Sequence, residues 1–244
     1  MPETIALDTV RVAAEHVGTL FAEVHETLTG WRRRVLLGLA EDPSSAALDD
    51  LVSALVLPPL AEPEALLVGA GFVAAPELLG GRDLHFAWWL GPLDANPVFG
   101  ATSEPTRLDL ATRYYTDYLR DFRSLEWYSI PASTHRAHIT GPYVDHLCAC
   151  DYIVTVTIPV ERDGAMIGVV GADLYVKRLE RELLPSMLES GEPLALVNEH
   201  GRVVVSTDPT VAGGSVLVVE GAAALECPGT PFRLVRTTTG RRER

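Results

Sequence analysis

Two long apolar segments joined by a tight turn constrain the fold of this chain more than any other feature. Residues 151–161, DYIVTVTIPVE, alternate in polarity and are rich in β-branched side chains, and residues 165–176, AMIGVVGADLYV, are also largely apolar. Asp163-Gly164 lies between them and is a typical hairpin turn. The segments therefore predict two neighbouring antiparallel strands, and any fold for this chain has to contain them.

The other segments predict that this hairpin belongs to a larger antiparallel sheet with helices beside it. Further strands are predicted at 64–75, 83–91, 194–208 (a second hairpin) and 231–237, and helices at 45–56, 107–122 and 177–188. Successive hairpins without β-α-β alternation indicate the α+β class. A parallel nucleotide-binding sheet is not expected, since no glycine-rich phosphate loop follows any strand.

The N-terminal region is predicted to be one long helix. Residues 4–40 contain no proline, and their apolar residues recur every three or four positions, which places them on one stripe. Such a helix is about 50 Å long at ~1.5 Å per residue, longer than the core it could cover. We therefore expect part of the stripe to meet a second copy in a homodimer. The stripe residues are Val10, Ala13, Val17, Leu20, Val24, Leu28, Trp31 and Val35.

Composition excludes several classes of protein. The 244 residues suffice for one large domain or two small ones, and a net charge of −13 argues against nucleic acid as the main partner. No basic segment followed by an apolar one indicates a signal peptide, and no apolar run reaches the ~18–20 residues of a membrane span. Cys148, Cys150 and Cys227 are too few for a disulfide framework. We expect a cytoplasmic protein.

An aromatic and acidic segment, residues 125–145, is the strongest candidate for a functional site. Turn-forming residues interrupt it, so it cannot be one helix or one strand. Only 7% of the chain is aromatic, yet the segment holds three large aromatic residues and two acids: Trp127, Tyr128, Tyr143, Glu126 and Asp145. These aromatic residues are either core residues or the walls of a pocket for a small polar ligand. Asp145 is either a turn residue or part of that site.

The succession of these segments resembles the double Cache sensor domains of chemoreceptors and histidine kinases. After the long helix come Trp127-Tyr128, GPYVD, VTIPV, DG, IGVVGADL, a helix and ALVNEHGRVVVSTD, and the resemblance is strongest over 114–208. It implies a PAS-like antiparallel sheet and a second, smaller α/β subdomain with fewer strands than a full sheet. The domains expected are 1–40 (helix), 41–177 (ligand-binding subdomain) and 178–244 (second subdomain).

One subset of this family binds amino acids through a spaced motif, and the resemblance implies the same site here. Tyr118 and Arg123 have the first spacing of the motif; Trp127-Tyr128, Tyr143 and Asp173 have the later ones. The sequence departs from the motif in having three residues between Arg123 and Trp127, where the family has one. In the roles that the resemblance implies, the Arg123 guanidinium binds the carboxylate of the ligand through two parallel hydrogen bonds. The aspartate neutralises an ammonium group, and the aromatic faces attract it.

The resemblance implies a sensor module that binds a small amino acid or amine, with no enzymatic activity and no cofactor. Its output would pass through its own dimer, or through a separate transducer or transcription regulator. An enzyme using His85 and Asp173 in one pocket, or a scaffold with a vestigial pocket, are the alternatives. No metal site is predicted: His146, Cys148 and Cys150 share one face of a possible strand, but its sulfurs would be nearly 7 Å apart.

Overall fold

The computed structural model describes residues 2–80, 85–93, 100–108, 121–145, 151–218 and 224–237, with side chains from residue 8 onward. The helices are α1 (Pro2–Gly38), α2 (Ser45–Ala61), α3 (Glu126–Thr134) and α4 (Val176–Leu188), with short 3₁₀ helices at Pro76–Leu79 and Phe122–Ser124. The strands are β1 (Leu67–Ala74), β2 (Phe86–Leu90), β3 (Thr106–Arg107), β4 (His138–Val144), β5 (Tyr152–Arg162), β6 (Ala165–Tyr175), β7 (Leu194–Val197), β8 (Val203–Ser206), β9 (Ala224–Glu226) and β10 (Arg233–Arg236).

The larger sheet has six strands in the order β3-β2-β1-β6-β5-β4. The hairpin predicted at 151–176 is confirmed as β5 and β6, which lie side by side in antiparallel pairing. In their register Thr155 lies opposite Asp173 and Thr157 opposite Gly171. The α+β class predicted from the sequence is also confirmed, because the helices lie beside antiparallel sheets and do not connect parallel strands.

The two faces of this sheet are covered by different helices. Because side chains alternate along a strand, Thr155 and Thr157 of β5 share one face with Gly171 and Asp173 of β6. On that face α3 is tied to β5, since the Thr157 hydroxyl donates to the carbonyl of Trp127 at 2.8 Å. The other face, which is almost wholly apolar, packs against α2 along β1 and β2. The polar positions and glycines therefore collect on the α3 face.

The smaller sheet has four strands in the order β8-β7-β10-β9. Its core is made of Ala195, Val197, Val203 and Val235. The hairpin predicted at 194–208 and the strand at 231–237 are present, whereas β9 has no predicted counterpart. This sheet belongs to a compact unit of residues 1–24, 141–143 and 176–244, and residues 25–140 and 144–175 form the other unit. The domain boundaries at 40 and 177 stay predictions.

The apolar stripe of α1 is buried within a single chain. Each of its eight predicted residues, from Val10 to Val35, is at most 9% exposed. The physical reason is that α1 supplies residues to both compact units, which leaves no surplus stripe. The prediction that part of the apolar stripe would be left uncovered within one chain is therefore wrong. The homodimer that was inferred from it stays a prediction. Of the helices in the described ranges, none is long and apolar enough to cross a membrane, 37-residue α1 included.

Two predicted helices have different bounds in the structure. Helix α2 continues past the predicted end at residue 56, through Pro58 and Pro59, to Ala61. Burial of its last turn explains this, because Leu60 is fully buried and its carbonyl would lie 3.1 Å from a Cβ on Gly91. The helix predicted at 107–122 falls mostly on residues 109–120, which lie outside the described ranges. The two ends of this segment were predicted to be α-helical and are not. Arg107 lies in β3, and Phe122 lies in a 3₁₀ helix.

An arginine from the β5–β6 hairpin binds the backbone that follows α1. The Arg162 guanidinium donates to the carbonyls of Leu39 and Ala40, both at 2.9 Å. The last turn of α1 contains no basic residue of its own. Because the C-terminal end of a helix carries partial negative charge, an arginine is well suited to bind the backbone that directly follows Gly38.

Candidate ligand-binding site

Asp173 is a buried acid in the middle of the larger sheet. Its side chain is only 7% exposed, and the Thr155 hydroxyl donates to its Oδ1 at 2.6 Å. Burial raises the pKa of Asp173 to about 8; the negative charge of Asp145 also raises it, and the Thr155 hydrogen bond opposes both. Asp173 is therefore mostly protonated at neutral pH when no cation is bound.

Beside Asp173 the sheet face is made of glycines covered by Trp88. A Cβ on Gly69 would lie 2.9 Å from the indole Nε1 of Trp88 and 3.1 Å from Asp173 Oδ2. On Gly171 it would lie 3.0 Å from Thr157 Cγ2 and 3.3 Å from Trp88 Cη2. The indole thus occupies the space that two ordinary side chains would fill.

Sequence reasoning missed this group of residues. Gly69, Gly71 and Gly171 lie on one face of β1 and β6, and Trp88 lies on the same face of β2. The available signal was the spacing of Gly69 and Gly71, which are two apart in a strand and so share a face. Glycine inside a strand often marks a close approach of another group. Here that group is the Trp88 indole at Gly69 and the backbone of Ala87 and Trp88 at Gly71.

Trp127 and Tyr128 belong to an aromatic cluster at the start of α3. The Tyr128 ring meets the Phe122 ring edge-on with centroids 4.8 Å apart, and Trp127 stacks on Phe122 at 6.4 Å and meets Phe86 at 6.1 Å. Tyr128 is 4% exposed, whereas Trp127 is half-buried. Burial raises the pKa of the Tyr128 hydroxyl. Core packing accounts for Tyr128, and the role of both residues in ligand binding stays a prediction.

The other predicted site residues have different surroundings. Asp145 follows β4, is 7% exposed, and its backbone N–H donates to the Asp151 carbonyl at 3.0 Å. Its negative charge also acts on Asp173, whose pKa it raises, and its role in ligand binding stays a prediction. Tyr143 is half-buried on β4, and Arg123 is exposed in the 3₁₀ helix Phe122–Ser124, where its charge lowers the pKa of Tyr128. Tyr118 lies outside the described residues.

His85 does not share a pocket with Asp173. Its Nε2 lies 2.9 Å from Asp49 of α2, and Asp49 also accepts from Arg107 at 2.6 Å. His85 is three positions from Trp88 along the chain and so points to the α2 face, opposite Asp173. The predicted alternative of an enzyme with these two residues in one pocket is therefore wrong. The segment with His146, Cys148 and Cys150 lies outside the described residues.

The long helix, the six-stranded antiparallel sheet and the smaller sheet define the class of this fold. Solved ligand-binding domains of Pseudomonas chemoreceptors have a similar fold. Within the sequence, residues 87–181 match the family model described as methyl-accepting chemotaxis protein-like, first PDC sensor domain. The match contains Trp88, Trp127, Tyr128, Tyr143 and Asp173, and it confirms the resemblance to Cache-type sensor domains.

Solved structures are similar over nearly the whole chain. Methyl-accepting chemotaxis protein X has a TM-score of 0.61 at 17% identity, over 96% of this chain and 98% of that one. The ligand-binding domain of Pseudomonas fluorescens CtaA in complex with L-valine has a TM-score of 0.60 at 17% identity, over 96% of each chain. That of Pseudomonas aeruginosa PAO1 PctC in complex with GABA has 0.56 at 16%, over 94% and 97%.

Proposed function

We propose that this protein is a ligand-binding sensor module that recognises a small amino acid or amine and has no enzymatic activity. The observation that carries the proposal is Asp173, a buried acid beside Trp88 in a sheet of the chemoreceptor-domain fold. The likeness to domains crystallised with L-valine and with GABA supports the same class of ligand.

The ammonium end of a ligand is the end that this site suits best. Ionising Asp173 in its buried position costs free energy, which a cation beside it would offset. Asp145 adds a second negative charge close by. Arg123, which the family motif pairs with the ligand carboxylate, is exposed in this structure. An amine, or an amino acid held mainly through its ammonium group, is therefore the ligand that we infer.

The output of the module would pass through a separate transducer or transcription regulator, or through a homodimer. We also propose that it acts in the cytoplasm. The cysteine content agrees with a reducing compartment, because Cys148, Cys150 and Cys227 are too few and too unevenly spaced for a disulfide framework. A reporter fused to either end and assayed after cell fractionation tests the location.

A thermal-shift screen tests the function directly. L-valine, GABA, propylammonium and 1,4-diaminobutane serve as probes, and at 100 times its dissociation constant a bound probe adds about 2.7 kcal/mol to the free energy of unfolding. We expect at least one probe to raise the melting temperature and to be recovered chemically unchanged. Turnover of a bound probe would favour an enzyme, and indifference to every probe would favour a scaffold.

Affinity for an ammonium probe is expected to rise with pH. Only ionised Asp173 attracts the cation, and its pKa is about 8. Binding should therefore tighten by about tenfold from pH 6 to 7 and by about fivefold from pH 7 to 8, and level off above. The stability of the ligand-free protein should change with pH in the opposite direction. Because the folded pKa is raised above the unfolded value, its stability should fall over the interval from the unfolded to the folded pKa.

Isothermal titration with propylammonium at pH 6, 7 and 8 checks the dependence of binding on pH. The matched control is Asp173→Asn, in which the remaining pH dependence should be nearly flat. An affinity that does not change between pH 6 and 8 in the unmodified protein would show that Asp173 is not the group that meets the cation.

A further inference from the structure

Trp88 and Asp173 border the same small region of the sheet face. Trp88 Nε1 and Asp173 Oδ2 both lie close to the position that a Cβ on Gly69 would take, at 2.9 and 3.1 Å. The other end of the same indole edge, Cη2, lies near the position of a Cβ on Gly171. Whatever approaches Asp173 Oδ2 over these glycines therefore meets the Trp88 ring.

The neighbouring tryptophan, Trp89, does not border Asp173 or the glycines beside it. Trp89 follows Trp88 in β2, so its side chain points to the opposite face of the sheet. There the Arg107 guanidinium lies 5.9 Å from the centre of its ring. The two tryptophans are similarly buried, 6% and 7% exposed. Trp89 is thus a matched control for a role that depends on the face of the sheet.

We propose that Trp88 determines specificity by limiting the size of the ammonium head group that can reach Asp173. Its ring fills the space over Gly69 and Gly171 and so borders the approach to Oδ2. We therefore expect a slender primary ammonium to reach Oδ2 and one with several methyl groups to be excluded. Such steric limits discriminate strongly, since a single methylene can change selectivity by about 10–200-fold in a close-fitting pocket. The inference rests on the proposed function, because it concerns the ammonium end of the same ligand.

The test compares two probes that differ only at the nitrogen, propylammonium and N,N,N-trimethylpropylammonium. Dissociation constants are measured for the unmodified protein and for Trp88→Leu, Trp88→Phe and Trp89→Leu. We expect the unmodified protein to prefer propylammonium, and the preference to fall at least tenfold in Trp88→Leu and by less in Trp88→Phe. In Trp89→Leu the ratio should stay within about twofold.

The ratio distinguishes a steric limit from a general loss of structure. A variant that merely loosens the fold weakens both probes together, whereas removal of a steric limit helps the trimethylated probe selectively. Should Trp88→Leu fail to fold, Trp88→Phe carries the comparison. An unchanged ratio in folded Trp88 variants would overturn this inference and leave the proposed function standing. If neither probe binds the unmodified protein or any variant, the proposed ammonium site is wrong, and this inference is wrong with it.

A substitution of Gly69, which lies beneath the Trp88 indole, tests the same space. Gly69→Ala puts a methyl group 2.9 Å from Trp88 Nε1, closer than real Cβ contacts allow, and 3.1 Å from Asp173 Oδ2, which is tighter than most such contacts. It should weaken even propylammonium binding, while circular dichroism reports whether the fold persists. Retention of full affinity in folded Gly69→Ala would count against the proposed position of the head group.

Discussion

Asp173→Asn is expected to weaken binding of an ammonium ligand by roughly 2–5 kcal/mol, the range for removing one partner of a buried charge pair. The fold should persist, because Asp173 is already mostly neutral at pH 7 in the free protein, given its pKa of about 8. Asparagine can also accept the hydrogen bond that Thr155 donates to Oδ1. Isothermal titration with the strongest probe from the screen gives the change in affinity, and thermal denaturation gives the stability.

A second buried acid provides the control for this variant. Asp208 is 5% exposed and accepts hydrogen bonds from Thr210 and Thr237 in the other compact unit. Asp208→Asn should reduce stability without a matching loss of affinity. If Asp173→Asn is folded and binds as tightly as the unmodified protein, Asp173 is not the partner of the ammonium group.

Replacing Leu20 and Val24 together by glutamate is expected to unfold the protein. These side chains are 9% and 7% exposed within one chain, so the variant would bury two unpaired carboxylates. Each such change belongs to the class that costs more than about 4 kcal/mol, and a typical domain has only about 5–15 kcal/mol in total. Circular dichroism and thermal denaturation would report the loss of structure.

The same helix offers an exposed control. Val12 is 53% exposed on α1, so Val12→Glu should change stability little. Light scattering on the unmodified protein and the double variant completes the test. A well-folded monomeric double variant derived from a dimeric protein would place Leu20 and Val24 at an interface between chains, contrary to their burial in a single chain.

The four central strands of the larger sheet, β2, β1, β6 and β5, could be predicted from sequence because local signals agree there, whereas the edge strands β3 and β4 were not predicted. Alternating β-branched residues indicate β5, and Asp163-Gly164 indicates the turn. The turn alone would set Thr155 opposite Ala172, and a bulge between Val160 and Glu161 shifts the register by one residue, which brings Thr155 opposite Asp173. The long α1 helix was predictable for a similar reason, since its period is sustained without proline. Asp173 stood out because an acid inside an apolar strand needs a partner.

The remaining features depend on contacts between distant segments. The period of α1 shows which side is apolar but not what covers it, so the burial of Leu20 and Val24 could not be foreseen. Trp88 and Trp89 are adjacent and of the same type, and only the pairing of β2 with β1 decides which one lies over the glycines. Helix α2 continues through Pro58 and Pro59 because its last turn is packed, which outweighs the local preference.

Arg162 also limits how the larger sheet can move. It ends β5, the strand that carries Thr155, and holds the two carbonyls after α1. Sliding β5 along its axis by one residue, about 3.3 Å, would break both hydrogen bonds. Rotation about this point stretches them far less. These two hydrogen bonds therefore resist sliding of the hairpin along the end of α1 more than they resist tilting about Arg162.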